Sequence, residues 1–530
     1  MRYVNRKYSF FYIGVIFWLF ISPLAMQAQP WITHPSNVAK ANFQDAQQEF
    51  REYWQDKTPA KCTGWKQFKR LEWFWEKRLF PDNVFPDFHK IYTDYQNYRE
   101  KNINKNSPLD NNLYKWTALG PFVKPKQHPD YSPAGLGRTN CISFHPTNKN
   151  IIWTGASFGG VWKTTNGGGA WQTFPFTEFL SIGISDIAVA PSNPSVVYAA
   201  TGDADAAGFL GVLYNYSIGI VKTTDDGATW KLTKPLYGQN LEIANKLLIN
   251  RILVHPLNEN IIYAGTSAGL YKSIDGGESW KLLSALYCRD LEFNSSDPEK
   301  IIGAFREVSE NKYIFSIAFV NPETGELAKK IQFNDVVRIA LAVSKADANT
   351  VYAIAAGNDM GFHSFLRSTD GGESWETRAR KGTHPNYLHY YTSGSGAGGQ
   401  GLYDLAIVVD PKNPNNVFIA GVNVWKTGNG GSSFDLVTDW QGWTAPWIHA
   451  DIHSLKYSPD GALYACTDGG VNKTTNSGKN WTDLSNSLAI TQFYKIDQYP
   501  GDESFIIGGT QDNGTHIKNG SSWSNILGGD

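Results

Sequence analysis

The stretch STDGGESW, Ser368 to Trp375, decides the fold of this chain, because near copies of it return along the sequence. TTNGGGAW (Thr164 to Trp171), TTDDGATW (Thr223 to Trp230), SIDGGESW (Ser273 to Trp280), TGNGGSSF (Thr427 to Phe434) and TTNSGKNW (Thr474 to Trp481) share its pattern of Ser/Thr-x-Asp/Asn-x-Gly-x-x-aromatic. The pattern reads as a hairpin turn. The Asp or Asn side chain accepts bonds from backbone amides two residues on, and Gly supplies a positive φ. The aromatic then enters a strand and buries a large side chain.

A second phrase precedes each turn: an apolar strand, a Pro- or Asn-rich corner, and another apolar strand. ISFHPTNKNIIWTG from Ile142 and ILVHPLNENIIYAG from Ile252 are examples. Two further copies have worn turns, one ending at Ala328 and one at Trp523. The closing positions Trp171, Trp230, Trp280, Ala328, Trp375, Phe434, Trp481 and Trp523 stand 42 to 59 residues apart. Each unit therefore holds four short strands, the content of a propeller blade. The expectation is an all-β propeller of 7–8 four-stranded blades over residues 113–530, incomplete or closed by a strand borrowed from Trp116 to Leu119.

Composition suits an exported β protein. Of 530 residues, 50 are Gly, 14% are aromatic and 18% are charged, with a formal net charge of −1. That balance argues against a broad nucleic-acid face and against attraction to acidic membranes. Arg2, Arg6 and Lys7 precede an apolar run from Phe10 to Ile21, which reads as a signal peptide over residues 1–28; an uncleaved anchor is the alternative. No later segment is apolar enough to span a bilayer. The expected location is secreted or at the cell surface. Cys62, Cys141, Cys288 and Cys466 are too sparse for a zinc module.

Residues 29–112 form a separate helical segment and linker. Asn42 to Gln55 carries Phe43, Ala46, Phe50 and Trp54 at helical spacing, and Trp65 to Phe80 is a second aromatic-rich stretch. Trp65, Phe68, Leu71 and Trp75 are expected to pack against the propeller.

The turn phrase resembles the Asp-box, or BNR repeat. The stretch from Trp116 onward looks like the propellers of the sortilin-type and family 74 glycoside hydrolase-like superfamily, in the form of its secreted bacterial members. The resemblance implies a propeller but leaves several functions open, among them hydrolases, sorting receptors and assembly factors. The family 74 hydrolases carry a catalytic Asp in a first-unit turn where this chain has Ser157. Their second acid corresponds loosely to Asp468.

Strand alternation locates the working face. In a four-stranded meander, connections alternate between the two ends of the sheet, so all Asp-boxes fall on one face. The opposite face receives the loop Gly202 to Ser217, the turns at Asp468 and Asp512, and the long links His384 to Gly401 and Thr438 to Asp451. Asn140, Asp186, Arg251, Arg289, Asp404 and His453 are expected to ring its mouth. Trp440, Trp443, Trp447, Tyr387, Tyr390 and Tyr391 offer rings that stack on pyranoses or on a peptide. With Asp404, Arg251 and Asp512 they make up the candidate binding set. The expected function is binding of an extracellular polymer, glycan or protein.

Hydrolysis of a polysaccharide by paired carboxylates, Asp468 and Asp451, is the alternative. A structural or adhesion role is the third reading. No cofactor is required. His449, Asp451 and His453 alternate and, on an extended strand, would share one side and suit Zn. Asp203 and Asp205 would suit Ca²⁺.

Overall fold

The computed structural model describes residues 43–59, 65–79, 88–102, 117–127, 134–174, 183–206, 217–238, 247–309 and 312–529. The signal-peptide reading and Trp116 lie outside them. Among the described residues no helix is long and apolar enough to cross a membrane.

Among the described residues thirty-two strands form eight antiparallel sheets of four, each assembled in chain order. The repeats therefore fold as the hairpin reading requires. The turn itself works slightly differently from expectation. In STDGGESW the opening Ser368 hydroxyl accepts the amides of Asp370 (3.3 Å) and Gly372 (2.8 Å). Asp370 Oδ1 instead accepts the amide of Ser374, four residues on, at 2.9 Å. Gly372 adopts φ +105°, which a side chain resists.

Seven of the eight sheets close into a ring. The innermost strands Thr139–Phe144, Ile184–Val189, Ile249–Val254, Tyr287–Phe293, Val336–Val343, Ala406–Val409 and Ile452–Tyr457 each lie beside the next, and the seventh returns to the first. Seven separate apolar clusters fill the seven gaps between blades. The closing gap brings Ile142, Ile152 and Trp162 of blade 1 against Tyr464, Cys466 and Val471 of blade 7. This is how alternating apolar residues on both faces of a twisted sheet are buried without a free edge.

The eighth sheet, beginning at Phe493–Gln498, belongs to none of these clusters and stands outside the ring. Its outermost strand, Ser522–Leu527, is flanked by the segment entering the propeller: Lys126 bridges to Ser524, and Trp523 Nε1 donates to the Leu119 carbonyl at 2.9 Å. Among the described residues, those near Leu119 form no strand of the ring, which closes between the first and seventh blades instead.

Among the described residues three helices precede the sheets: α1 (Phe43–Trp54), α2 (Trp65–Glu76) and α3 (Phe88–Asn102). Phe43, Phe50, Phe68, Trp75 and Leu79 form a small core of their own, with Phe50 and Phe68 stacked at 4.0 Å. The aromatic stripe thus closes mainly on itself. Trp73 reaches the eighth sheet under Lys495, 4.7 Å from the ring centre.

Candidate functional site

In six of the seven ring blades the innermost strand is interrupted near its start by one extra residue: Asn140, Ser185, Asn250, Arg289, Val337 or His453. A bulge frees one residue from the ladder and re-aims its side chain. Here the polar ones face the axis. Asn140 Nδ2 donates to the Ile184 carbonyl (2.9 Å), and Asn250 Nδ2 does the same to Cys288 (2.7 Å), each stitching one blade to the next.

Above these bulges lies a buried chain of charges. Asp205 accepts from Arg289 Nη2 (2.5 Å), Arg338 Nη2 (3.1 Å) and His453 Nδ1 (2.8 Å). His453 Nε2 bonds Asp468 Oδ1 at 2.9 Å. Tyr403 donates its hydroxyl to Asp468 Oδ2 at 2.7 Å and accepts from Arg138 Nη1 at 2.8 Å. Arg138 pairs in turn with Asp203. Burial opposes charge on His453, yet its two carboxylate partners, one at each ring nitrogen, raise its pKa. Burial also works against Asp205, but Arg338, Arg289 and His453 hold its carboxyl well below the usual range.

Two other carboxyls in this cluster are shifted upward instead. Asp404 is wholly buried, and its carboxyl faces that of Asp451. Burial, then the facing charges of Asp451 and Asp468, push its pKa well up. Asp451 is pushed up to about 7 by burial and by Asp468. Gln400 Nε2 donates to its Oδ1 at 2.9 Å, and its backbone sits at φ +63°, an uncommon conformation for a non-glycine residue. Asp512 shares that conformation at φ +57°.

Asp451 and Asp468 are therefore brought into one electrostatic neighbourhood, together with Asp404. Asp468 is 1% exposed, and both its oxygens are engaged by His453 and Tyr403. The eighth sheet joins this edge: His449 Nε2 meets the Asp512 carbonyl at 3.1 Å, and Asn513 Nδ2 donates to the Asp468 carbonyl at 3.0 Å.

Arg251 and Asp186 each follow a bulge by one residue and line the same central channel of about 230 Å³ as Asp205, Arg289 and His453, but neither bonds Asp205; Arg251 pairs with Glu292 and Asp290. Asp186 bridges blades by accepting the Ile252 amide at 2.8 Å. Nor do His449, Asp451 and His453 converge. The strand begins only at Ile452, and the left-handed Asp451 destroys the alternation on which that metal reading rested. Among the described residues no group of three His, Cys, Asp or Glu side chains is placed to hold a metal ion. Asp203 and Asp205 are consumed by arginines and His453.

The aromatic loops divide into core and surface. Tyr387 is 2% exposed and packs between blades. Trp447 is half-buried, with Lys124 Nζ 4.4 Å above its ring. Trp440 donates its indole N–H to the Tyr390 carbonyl at 3.0 Å, pinning the two long links together. Trp443 is 79% exposed and Tyr390 and Tyr391 about half. The loop bearing Trp443 is nevertheless fixed: the buried Asp439 carboxylate accepts the amides of Gln441 (2.9 Å), Trp443 (3.0 Å) and Thr444 (2.9 Å).

Arg138, Arg338 and Tyr403, central to the cluster, escaped the sequence reading. Arg338 lay within a reach of signal, since it follows a bulge at the same strand position as Arg251 and Asp186. Arg138 and Tyr403 precede their strands and leave no periodic trace.

No family model matches the chain. A stretch of 131 residues is 27% identical to the xyloglucanase Xgh74A of Acetivibrio thermocellus, covering 24% of this chain and 15% of that protein. Among solved structures, the GH74 enzyme of Niastella koreensis is similar over 73% of this chain and 59% of its own, with 18% identity and a TM-score of 0.49. An ancestral GH74 enzyme is similar over 78% of this chain and 56% of its own, with 16% identity and a TM-score of 0.48. The chain thus spans little more than half the length of these solved relatives, and a far smaller part of the curated one. What it shares with them in the plain sense is the bladed all-β architecture.

Proposed function

We propose that this chain binds an extracellular polysaccharide on the face opposite the Asp-box turns. The observation that carries the reading is Trp443, a large ring left in solvent on a loop held rigid by a buried carboxylate. Ordering an exposed aromatic in this way is costly unless a ligand uses it, and a rigid ring stacks on a sugar with little further loss of entropy. Tyr390 and Tyr391, tied to the same loop through Trp440, extend the surface. The local sequence likeness to a xyloglucanase makes β-glucans the first ligands to test.

Affinity electrophoresis in gels containing xyloglucan and other plant and algal glycans measures this. Retardation of the wild type, and its loss in Trp443→Ala, is the expected result. Equal mobility of both proteins in every gel would remove the basis of the proposal.

Hydrolysis is the second reading, favoured by one specific feature: Asp451 holds its proton near neutrality, as a general acid must. Asp468, buried and doubly bonded, is poorly placed to activate water beside it. Reducing-sugar release that disappears in Asp451→Asn would promote this reading; binding without turnover would retain the first.

A further inference from the structure

One blade outgrows the others on the candidate face. Ile301–Ser309 and Lys312–Val320 are nine residues each, whereas the inner strand beside them, Tyr287–Phe293, has seven. Arg306 pairs across the ladder with Tyr287, the first residue of that inner strand, so it marks the rim; residues 307–309 and 312–314 project beyond it. Tyr287 itself reaches the charged cluster, its hydroxyl 3.5 Å from Asn250 Oδ1, which also accepts from Arg289.

The Arg306 guanidinium lies between two rings, 4.2 Å from the centre of Tyr287 and 4.4 Å from that of Tyr313. Contact with two rings restrains the guanidinium and still leaves its N–H groups able to bond. Among the described residues Arg306 has no hydrogen bond and no ion pair. Neighbouring charges differ: Glu307 is engaged by Lys330 and Gln332, and Arg289 and Arg338 by Asp205. The rim thus presents one pre-oriented cation fork whose counter-charge is not supplied from within the described fold. A planar fork of N–H donors matches a carboxylate or a sulfate, which it takes in a bidentate manner.

We propose that Arg306 receives an anionic substituent of the glycan, so that the ligand class is an acidic polysaccharide, carrying uronate carboxylates or sulfate esters. This rests on the glycan-binding reading above. The test compares polygalacturonate, a sulfated galactan and neutral xyloglucan as ligands for the wild type, Arg306→Gln, Arg306→Lys and Trp443→Ala. The expected result is that one acidic polymer binds at least about 10-fold tighter than xyloglucan, that added salt erodes this margin, and that Arg306→Gln abolishes it. Arg306→Lys should restore only part, because a point charge lacks the fork. Which acidic polymer responds separates carboxylate from sulfate. Binding of xyloglucan alone, lost in Trp443→Ala but unchanged in Arg306→Gln, overturns this inference and leaves the binding face standing. Absence of binding to all three polymers overturns both.

Discussion

Replacing Asp451 by Asn should make the protein more stable in alkaline solution and leave it unchanged in acid. In the folded chain this carboxyl is held up to about 7 by burial and by Asp468, against an ordinary value of 3.8. Below the ordinary value the folded and unfolded chains are both protonated, and the residue costs nothing. As the pH rises from about 4 to 7 the unfolded chain releases the proton while the folded chain keeps it, so unfolding becomes progressively easier. Above 7 the penalty is complete. A shift of roughly 3 units corresponds to about 4 kcal/mol, and water reaching the partly exposed side chain reduces the expected gain in Asp451→Asn to about 2 kcal/mol at pH 8. Asn keeps the Oδ1 acceptor for Gln400, so the clamp survives. His453, whose pKa is raised, also loses its stabilising effect as the pH rises, so the wild-type profile alone cannot isolate Asp451. The assay is therefore urea denaturation of wild type and variant, each at about pH 3 and about pH 8. A variant equally displaced at both pH values, or less stable than wild type at pH 8, would refute the reasoning.

Four other outcomes follow from the same structure. Asp205→Ala strands Arg289, Arg338 and His453 in a buried site, and should cost about 3–5 kcal/mol in chemical denaturation. Gly227→Ala should lower the melting temperature clearly, since at φ +96° its Cβ would come within 2.7 Å of Phe174 and 2.8 Å of Trp153; the expected loss is above about 2 kcal/mol. Ser368→Ala removes the acceptor of two turn amides and should cost about 1–2 kcal/mol, read by the same denaturation curve. A chain shortened to end after Thr491 should keep its far-ultraviolet circular dichroism per residue and melt cooperatively, because the eighth sheet contributes to none of the seven inter-blade cores.

Much of the architecture was legible because a repeated turn is a local signal: Ser368, Asp370 and Gly372 bond within their own eight residues. The number of blades in the ring was not. Spacing counts units, whereas closure depends on which faces meet, and nothing local in Phe493–Gln498 distinguishes a ring blade from one outside it. The site was legible in outline, since strand alternation put Asp404, Asp451, His453 and Asp468 at one end. Its detail turned on single inserted residues. Arg289 and His453 are themselves the bulged residues whereas Arg251 stands one residue past a bulge, a distinction that hydrophobic alternation does not encode. The metal triad failed for a related reason, because Asp451 leaves the extended backbone one residue before the strand starts.

Because every blade is built from consecutive strands, the last and first blades meet through side chains and a few bonds, such as Thr139 Oγ1 to the Gly470 carbonyl and Trp171 Nε1 to the Leu484 carbonyl. The circle is thus fastened like a clasp rather than woven shut. Mechanical load drawn between residues 134 and 491 would fall first on that clasp, and amide exchange should reveal its partners as the earliest parts of the ring to open.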